Sequence, residues 1–388
     1  MKTPTRTTPN PLRVAAAGLL FALAACDGSG SSGPDDAGAD ADTDADADAD
    51  ADTDADADAD TDTGTGEACV PADEAPWLEP ADIQLMEVSE PLTGSFLYYS
   101  VWGSPDSLEM ITPDGLTAAT RFTVHRLWSF GVAHDGVTVA FSSLDPQQEE
   151  HFCITVGDAI QHSWLLPPDG PAEQITTGRV NDECHLFSPD DQTIYLCRRA
   201  GFWQEMTDDG FQFGSDPYRI LSHDRQSGDE SWLTDLQDGV SDIGPALRSD
   251  GSFLFWRQEP DGTSFAQFLM SMDADGGNVE YLVESGTGPA TSPDGGSVIY
   301  RASWSEILLG DAFDPATAEL LIPAGDATVS DLVFSPDMTR IAFTRGRPDA
   351  SCSDLWVADI ETAEETLLVD CVAADQFIAG IAWVEANE

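Results

Sequence analysis

One phrase returns along this chain and limits what it can fold into: an apolar residue, Ser-Pro-Asp or a relative, one to three turn residues, then a short hydrophobic run. The clearest copies carry Ser188, Pro189 and Asp190 ahead of 193–196, Ser292, Pro293 and Asp294 ahead of 297–300, and Ser335, Pro336 and Asp337 ahead of 340–343. Copies without proline pass through Asp135 and Asp250. The five aspartates are spaced by 55, 60, 44 and 43 residues, and the last two intervals set the period. Proline pre-sets the turn, Asp bonds back to the backbone, Gly takes the left-handed position, and the Val/Ile/Phe/Tyr run that follows is a strand.

Each copy leads into further strand-like sequence. After Phe343 come 354–360, a polar turn at 361–364 and an apolar run at 366–369, so the unit has four strands in about 43 residues. A unit of that size cannot bury its own faces, and neighbours must stack. The units fall near 129–180, 181–238, 239–286, 287–326 and 327–371. The stretch 380–384 reads as the first strand of another unit, while 95–100 and 109–111 read as strands lacking a first one. Joining the two ends makes a sixth unit and removes the open sheet edges. The expected fold is therefore all-β, a six-bladed β-propeller closed by pairing of N- and C-terminal strands. Six blades fit the count better than seven. A β-sandwich or β-helix would not return one turn phrase five times.

The pattern resembles the WD40-like repeats of the TolB C-terminal propeller family, whose signature reads close to Phe-Ser-Pro-Asp-Gly-x-x-Ile-x-Phe, and the resemblance spans 129–384. It implies protein contacts in a bacterial cell envelope. No helical N-terminal TolB domain is detectable, so the resemblance does not extend to a role in the Tol system.

Residues 1–25 have the build of an export signal: Lys2, Arg6 and Arg13 precede an apolar run, 14–25, too short to span a bilayer. The run ends Leu23-Ala24-Ala25-Cys26, which resembles the lipobox of bacterial lipoproteins and implies acylation at Cys26, hence stable lipid anchoring. Asp27 resembles an inner-membrane retention signal of some enteric bacteria, and the choice between inner membrane, outer membrane and cell surface stays open.

Residues 26–66 form a spacer. Between 35 and 62 the sequence is nearly all Ala-Asp and Thr-Asp dipeptide, and 15 aspartates lie between 27 and 62. Like charge at every second position, with only alanine methyls to bury, predicts an extended, disordered stalk. No glycine lies among the aspartates between Ala39 and Thr63 to converge ligands into a calcium loop, so the alternative to a plain spacer is weak calcium condensation. The domain expected to fold, 67–388, holds 56 acids against 13 arginines and no lysine, a net −43. A surface of that sign excludes nucleic-acid binding, and resembles proteins of salt-rich environments.

Six cysteines remain besides Cys26, and in an oxidising compartment pairing is expected. Cys352 with Cys371 spans two strands of one unit. Cys184 with Cys197 brackets the hairpin at Pro189, leaving Cys69 with Cys153. The spacings contain no Cys-x-x-Cys, so a metal role is not assigned.

Sequence signatures of nucleophile elbows, zinc proteases, phosphate loops and dinucleotide sites are absent, and no catalytic residue or cofactor is assigned. His134 reads as a turn residue, and His125, His162 and His223 as surface or turn residues. Trp256, Trp356 and Trp383 sit in strand patterns and read as packing residues. Phe202, Trp203, Phe211 and Phe213 lie in the longest insertion, between Cys197 and Tyr218, and form the candidate binding loop against a reading as core filling beneath it. The expected function is a non-catalytic envelope lipoprotein whose ring binds a protein or glycan. The alternative is a propeller hydrolase or lyase that uses loop carboxylates, with calcium as a possible cofactor.

Overall fold

The computed structural model describes residues 85–388 except 104, 145–159, 202, 208–209, 263, 348–351, 372–376 and 387–388. The expected signal segment, Cys26, the spacer, Cys69, Cys153 and Phe202 lie outside the described residues.

Runs rich in Val, Ile, Phe and Tyr form strands throughout, and no helix occurs among the described residues. In chain order come β1 (Gly94–Trp102), β2 (Asp106–Ile111) and β3 (Ala118–Val124), then β4 (Ser129–Val132), β5 (Val139–Leu144), β6 (Gln161–Leu166) and β7 (Glu173–Gln174). Next are β8 (Asn181–Phe187), β9 (Thr193–Arg199), an inserted hairpin of β10 (Trp203–Thr207) and β11 (Gly210–Gly214), then β12 (Arg219–Asp224) and β13 (Glu230–Trp232). Two further groups are β14 (Ser241–Leu247), β15 (Phe253–Asp261), β16 (Ser264–Met272) and β17 (Glu280–Glu284), and β18 (Thr287–Thr291), β19 (Ser297–Arg301), β20 (Ile307–Asp311) and β21 (Asp314–Ile322). The last strands are β22 (Val329–Phe334), β23 (Arg340–Gly346), β24 (Ser353–Asp359), β25 (Glu365–Val369) and β26 (Phe377–Ala386).

Antiparallel pairing sorts these strands into meanders of four: β4 to β7, β8-β9-β12-β13, β14 to β17, β18 to β21 and β22 to β25. The remaining group is β26-β1-β2-β3, in which the C-terminal strand pairs with β1 from Gly94 opposite Ala386 to Trp102 opposite Phe377. Single parallel bridges, Gln161 to Asn181 and Ser353 to Phe377, tie two neighbouring pairs of groups together.

Apolar residues cluster between successive groups. Phe96, Tyr98 and Phe122 of the β26-β1-β2-β3 group pack on Phe141 and Trp164 of the next. Ala140 and Leu165 pack on Ile194 and Leu196, and Ile220 on Phe253 and Phe255. Leu254 and Leu269 then pack on Val298 and Tyr300, Ile299 on Ile341 and Phe343, and Leu355 and Val357 on Leu97 and Tyr99. The first strands of the groups also touch in sequence: β4 on β8, β8 on β14, β14 on β18, β18 on β22, β22 on β26, and β26 on β4.

The Ser-Pro-Asp turns are built alike. The Ser188, Ser292 and Ser335 hydroxyls donate to Asp190, Asp294 and Asp337 at 2.7, 2.6 and 2.6 Å, and each Oγ accepts the backbone N–H five residues on, at 2.9 Å in all three. Those serine hydroxyls hold all three carboxyls below the usual range. Thr112-Pro113-Asp114 repeats the device between β2 and β3, a copy not recognised in the sequence. Neighbouring turns are linked: Asp191 accepts from the His134 backbone N–H at 3.0 Å and contacts its ring Nδ1 at 2.8 Å.

Two histidines differ from expectation. His162 and His223 are buried strand residues rather than surface ones. His162 Nε2 meets the Gly178 carbonyl oxygen at 2.8 Å, and His223 Nδ1 lies 3.5 Å from the Glu230 carboxylate. Polar partners on adjoining segments make that burial tolerable.

Candidate functional site: the face of long connections

In a four-stranded meander, the connections after the second and fourth strands leave the same end. At that end β5, β9 and β25 finish, with 16, 19 and 7 residues of sequence before β6, β12 and β26 begin. Among the described residues, strands β10 and β11 of the inserted hairpin pair only with each other. Its base is closed by the Asp216 N–H donating to the Ala200 carbonyl at 2.9 Å. Its register sets Trp203 opposite Gly214, Gln204 opposite Phe213 and Met206 opposite Phe211.

A polar and aromatic cluster lies at the root of this hairpin. The Tyr218 hydroxyl donates to the Glu183 carboxylate, and the Arg199 guanidinium sits 4.2 Å over the Tyr218 ring. Trp128 hydrogen-bonds to Glu183 from the neighbouring group. Trp102 stacks between Trp128, at 5.1 Å, and Phe377, at 5.0 Å. Burial raises the Glu183 carboxyl above the usual range despite the opposing pull of Arg199, Tyr218 and Trp128. Burial and the adjacent Glu183 charge push the Tyr218 phenol well above its ordinary value. The arrangement is a carboxyl, a phenol and a guanidinium held side by side next to three stacked rings.

Buried ion pairs brace the strands behind it. Arg198 meets Asp182 through two hydrogen bonds, at 2.6 and 3.0 Å, and reaches Glu230 on the other side at 2.5 Å. Arg257 repeats the geometry with Asp242 in the next group, at 2.6 and 2.9 Å. For Glu230, burial works against the charge, but hydrogen bonds from His223 and Arg198 overcome it and bring its pKa down to about 2.

His185 joins the two meanders: its Nδ1 lies 3.1 Å from Ser129 Oγ and its Nε2 2.9 Å from Ser163 Oγ. Burial lowers its pKa to about 3, so the ring is neutral. Asp182 lies 3.4 Å from Ser163, which completes a serine, histidine and aspartate grouping. Ser163 is 0 % exposed, however, so no substrate carbonyl can reach its hydroxyl. The grouping is a structural seam between sheets.

Cys352 and Cys371 are joined by a disulfide. The expected Cys184–Cys197 disulfide is not formed: both residues carry free thiols on the adjacent strands β8 and β9. Asp354, Asp370 and Cys371 converge closely enough to invite a metal reading. Arg347 accounts for that convergence, bonding Asp354 at 2.8 and 2.9 Å and Asp370 at 2.8 Å, while Cys371 is already in the disulfide.

Of the expected binding-loop residues, Trp203, Phe211 and Phe213 are strand residues of the hairpin. Glu183, Tyr218, Arg199, Trp128 and Trp102 were not singled out in the sequence. A signal was available: Asn181-Asp182-Glu183 brings consecutive polar residues to the start of a first strand, where a buried apolar run is the norm.

No protein-family model matches the chain, and no curated protein matches it in sequence. Solved structures do. A TolB from Agrobacterium tumefaciens shares 15% identity at a TM-score of 0.50, with 74% of this chain and 98% of that one covered. A chain of a nidogen/laminin complex shares 11% at 0.51, covering 76% and 100%. Hydrazine synthase from Kuenenia stuttgartiensis shares 10% at 0.55, covering 76% of this chain and 47% of that one, so the match takes in under half of the enzyme chain. The fold is that of a β-propeller. Propellers of this kind include an enzyme as well as the TolB type, and the likeness does not choose between them.

Proposed function

We propose that this propeller has six blades closed by β26, is held to a bacterial envelope membrane by a lipid on Cys26, and binds a partner protein or glycan on its face of long connections. What supports the closure is the circuit of first strands, in which β26 returns to β4. The binding reading rests on the hairpin Trp203–Gly214, which pairs with no other strand and rises directly from the Glu183, Tyr218 and Arg199 cluster. Rigid scaffolds that project such an insertion use it for recognition. In the proposed arrangement the spacer 26–66 carries the domain away from the bilayer.

The test is capture from envelope extracts and on glycan arrays, with the whole folded domain compared against the same domain lacking 201–216. The reading requires a defined partner or glycan that the deletion loses. An unchanged set of bound species overturns it.

A catalytic reading has one observation behind it. Glu183 is a carboxyl whose pKa is raised by burial, beside a phenol, at the root of the inserted hairpin. Hydrolase or lyase activity on acidic or neutral glycans that vanishes in Glu183→Gln, with binding retained, would favour it over the scaffold.

A further inference from the structure

The first strands of the groups share one backbone irregularity. Cys184, Gly244, Gly288 and Asp331 each stand six residues before a turn aspartate, at the ladder's register shift, with φ of 59, 61, 56 and 47°. Gly380 occupies the corresponding shift in β26, with φ 72°. Glycine takes this conformation without strain, and a side chain with a β-carbon does not. Three of the four sister strands use glycine here and the fourth aspartate, which tolerates this conformation, so a cysteine is held against a backbone penalty that points to a use for its sulfur.

Its neighbour supplies one. Cys197 pairs opposite Glu183 across the same shift, which sets it beside Cys184, the next residue of β8. The two differ in access: Cys184 is partly exposed, while Cys197 is 0 % exposed, with its Sγ accepting the Gly244 N–H at 3.1 Å. The Cys352–Cys371 disulfide elsewhere in the fold fits an oxidising compartment.

We propose that Cys184 and Cys197 are a redox-convertible pair, with Cys184 the attacking sulfur and Cys197 the resolving one, oxidised on the folded protein by a disulfide-bearing donor. The Cys184 thiolate attacks one sulfur of the donor disulfide, breaking that bond and releasing one donor thiolate. Cys197 then gives up its proton and attacks the Cys184 sulfur of the mixed disulfide, releasing the second donor thiolate. Two electrons and two protons pass to the donor, and one cross-strand disulfide forms between β8 and β9. Burial raises the Cys197 thiol well above its ordinary range, which makes resolution the slower step. This inference stands independently of the partner-binding reading.

The test uses the folded domain with oxidised glutathione as donor, followed by alkylation in denaturant, digestion without reduction and mass spectrometry. In the unmutated protein the expected product is a linked Cys184–Cys197 peptide and the loss of two alkylatable thiols. Cys197→Ser should keep one glutathione on Cys184, and Cys184→Ser should take up none at Cys197 while native. Both cysteines remaining fully alkylatable in the unmutated protein, or Cys184 linked to Cys69 or Cys153, overturns the proposal whatever the variants do.

Discussion

Gly131 in β4 lies so close to His185 in β8 that a β-carbon on the glycine would collide with the histidine's carbonyl oxygen. The neighbour is backbone and cannot swing aside, so two sheets would have to separate. Gly131→Ala should destabilise the domain by about 1–3 kcal/mol, the usual range for overpacking. Gly325→Ala, where nothing lies within 4 Å, is the control and should leave the melting temperature within error.

Breaking a buried pair should prove worse than replacing it. Asp182→Ala leaves the Arg198 guanidinium partly unpaired beside a core, and a loss of about 3–5 kcal/mol is expected. Asp182→Leu combined with Arg198→Met should recover much of it, as measured by denaturant unfolding. If the double variant is as unstable as the single one, the cluster has a role beyond charge pairing.

Acid should weaken the fold in two stages. His185, with its pKa lowered to about 3, is neutral in the folded protein but takes a proton when unfolded below about 6.5. The unfolded chain therefore binds more protons in that window, and stability falls with falling pH by up to about 1.4 kcal/mol per unit. Glu230 contributes stability above its unfolded value and loses it as pH falls towards about 2. Replacing His185 with Gln should flatten the slope between pH 6.5 and 4 in urea titrations.

Salt should stabilise this domain. Arg198, Arg257, Arg345 and Arg347 are committed to carboxylates within the fold, and Arg219 lies 3.6 Å over the Trp232 ring, so they do little to offset the exposed acids. Raising sodium chloride from about 10 mM to 1 M shrinks the Debye length from roughly 30 to 3 Å. The melting temperature should rise with it, because surface repulsion is screened while the buried pairs are not.

The three turn serines should be interchangeable in energy. Ser188→Ala, Ser292→Ala and Ser335→Ala each remove one oxygen that donates to the turn aspartate and accepts a backbone N–H. Each should cost about 0.5–1.5 kcal/mol, and three unequal values would mean that the turns are not equivalent.

Periodic features were readable from residues alone. The turn phrase locates β8-β9, β18-β19 and β22-β23 because proline, aspartate and the following strand act locally. It missed the β2-β3 turn because threonine stands there for serine. Apart from Asn181-Asp182-Glu183, the cluster was not legible, because Trp102 and Arg199 end separate strands while Trp128 and Tyr218 come from connections, each in an unremarkable context. His162 and His223 were misplaced for a related reason: polarity suggested the surface, whereas Gly178 and Glu230 supply partners that only folding brings near.

The Trp383 indole N–H donates to the Ser95 hydroxyl at 2.9 Å across 288 positions of chain. A chain emerging from a ribosome cannot make that bond until nearly everything between the two residues has been produced. The sheet begun by β1 thus waits with a bare margin, and so long-range a pairing is made late in folding. That sheet is completed only when the last strand arrives.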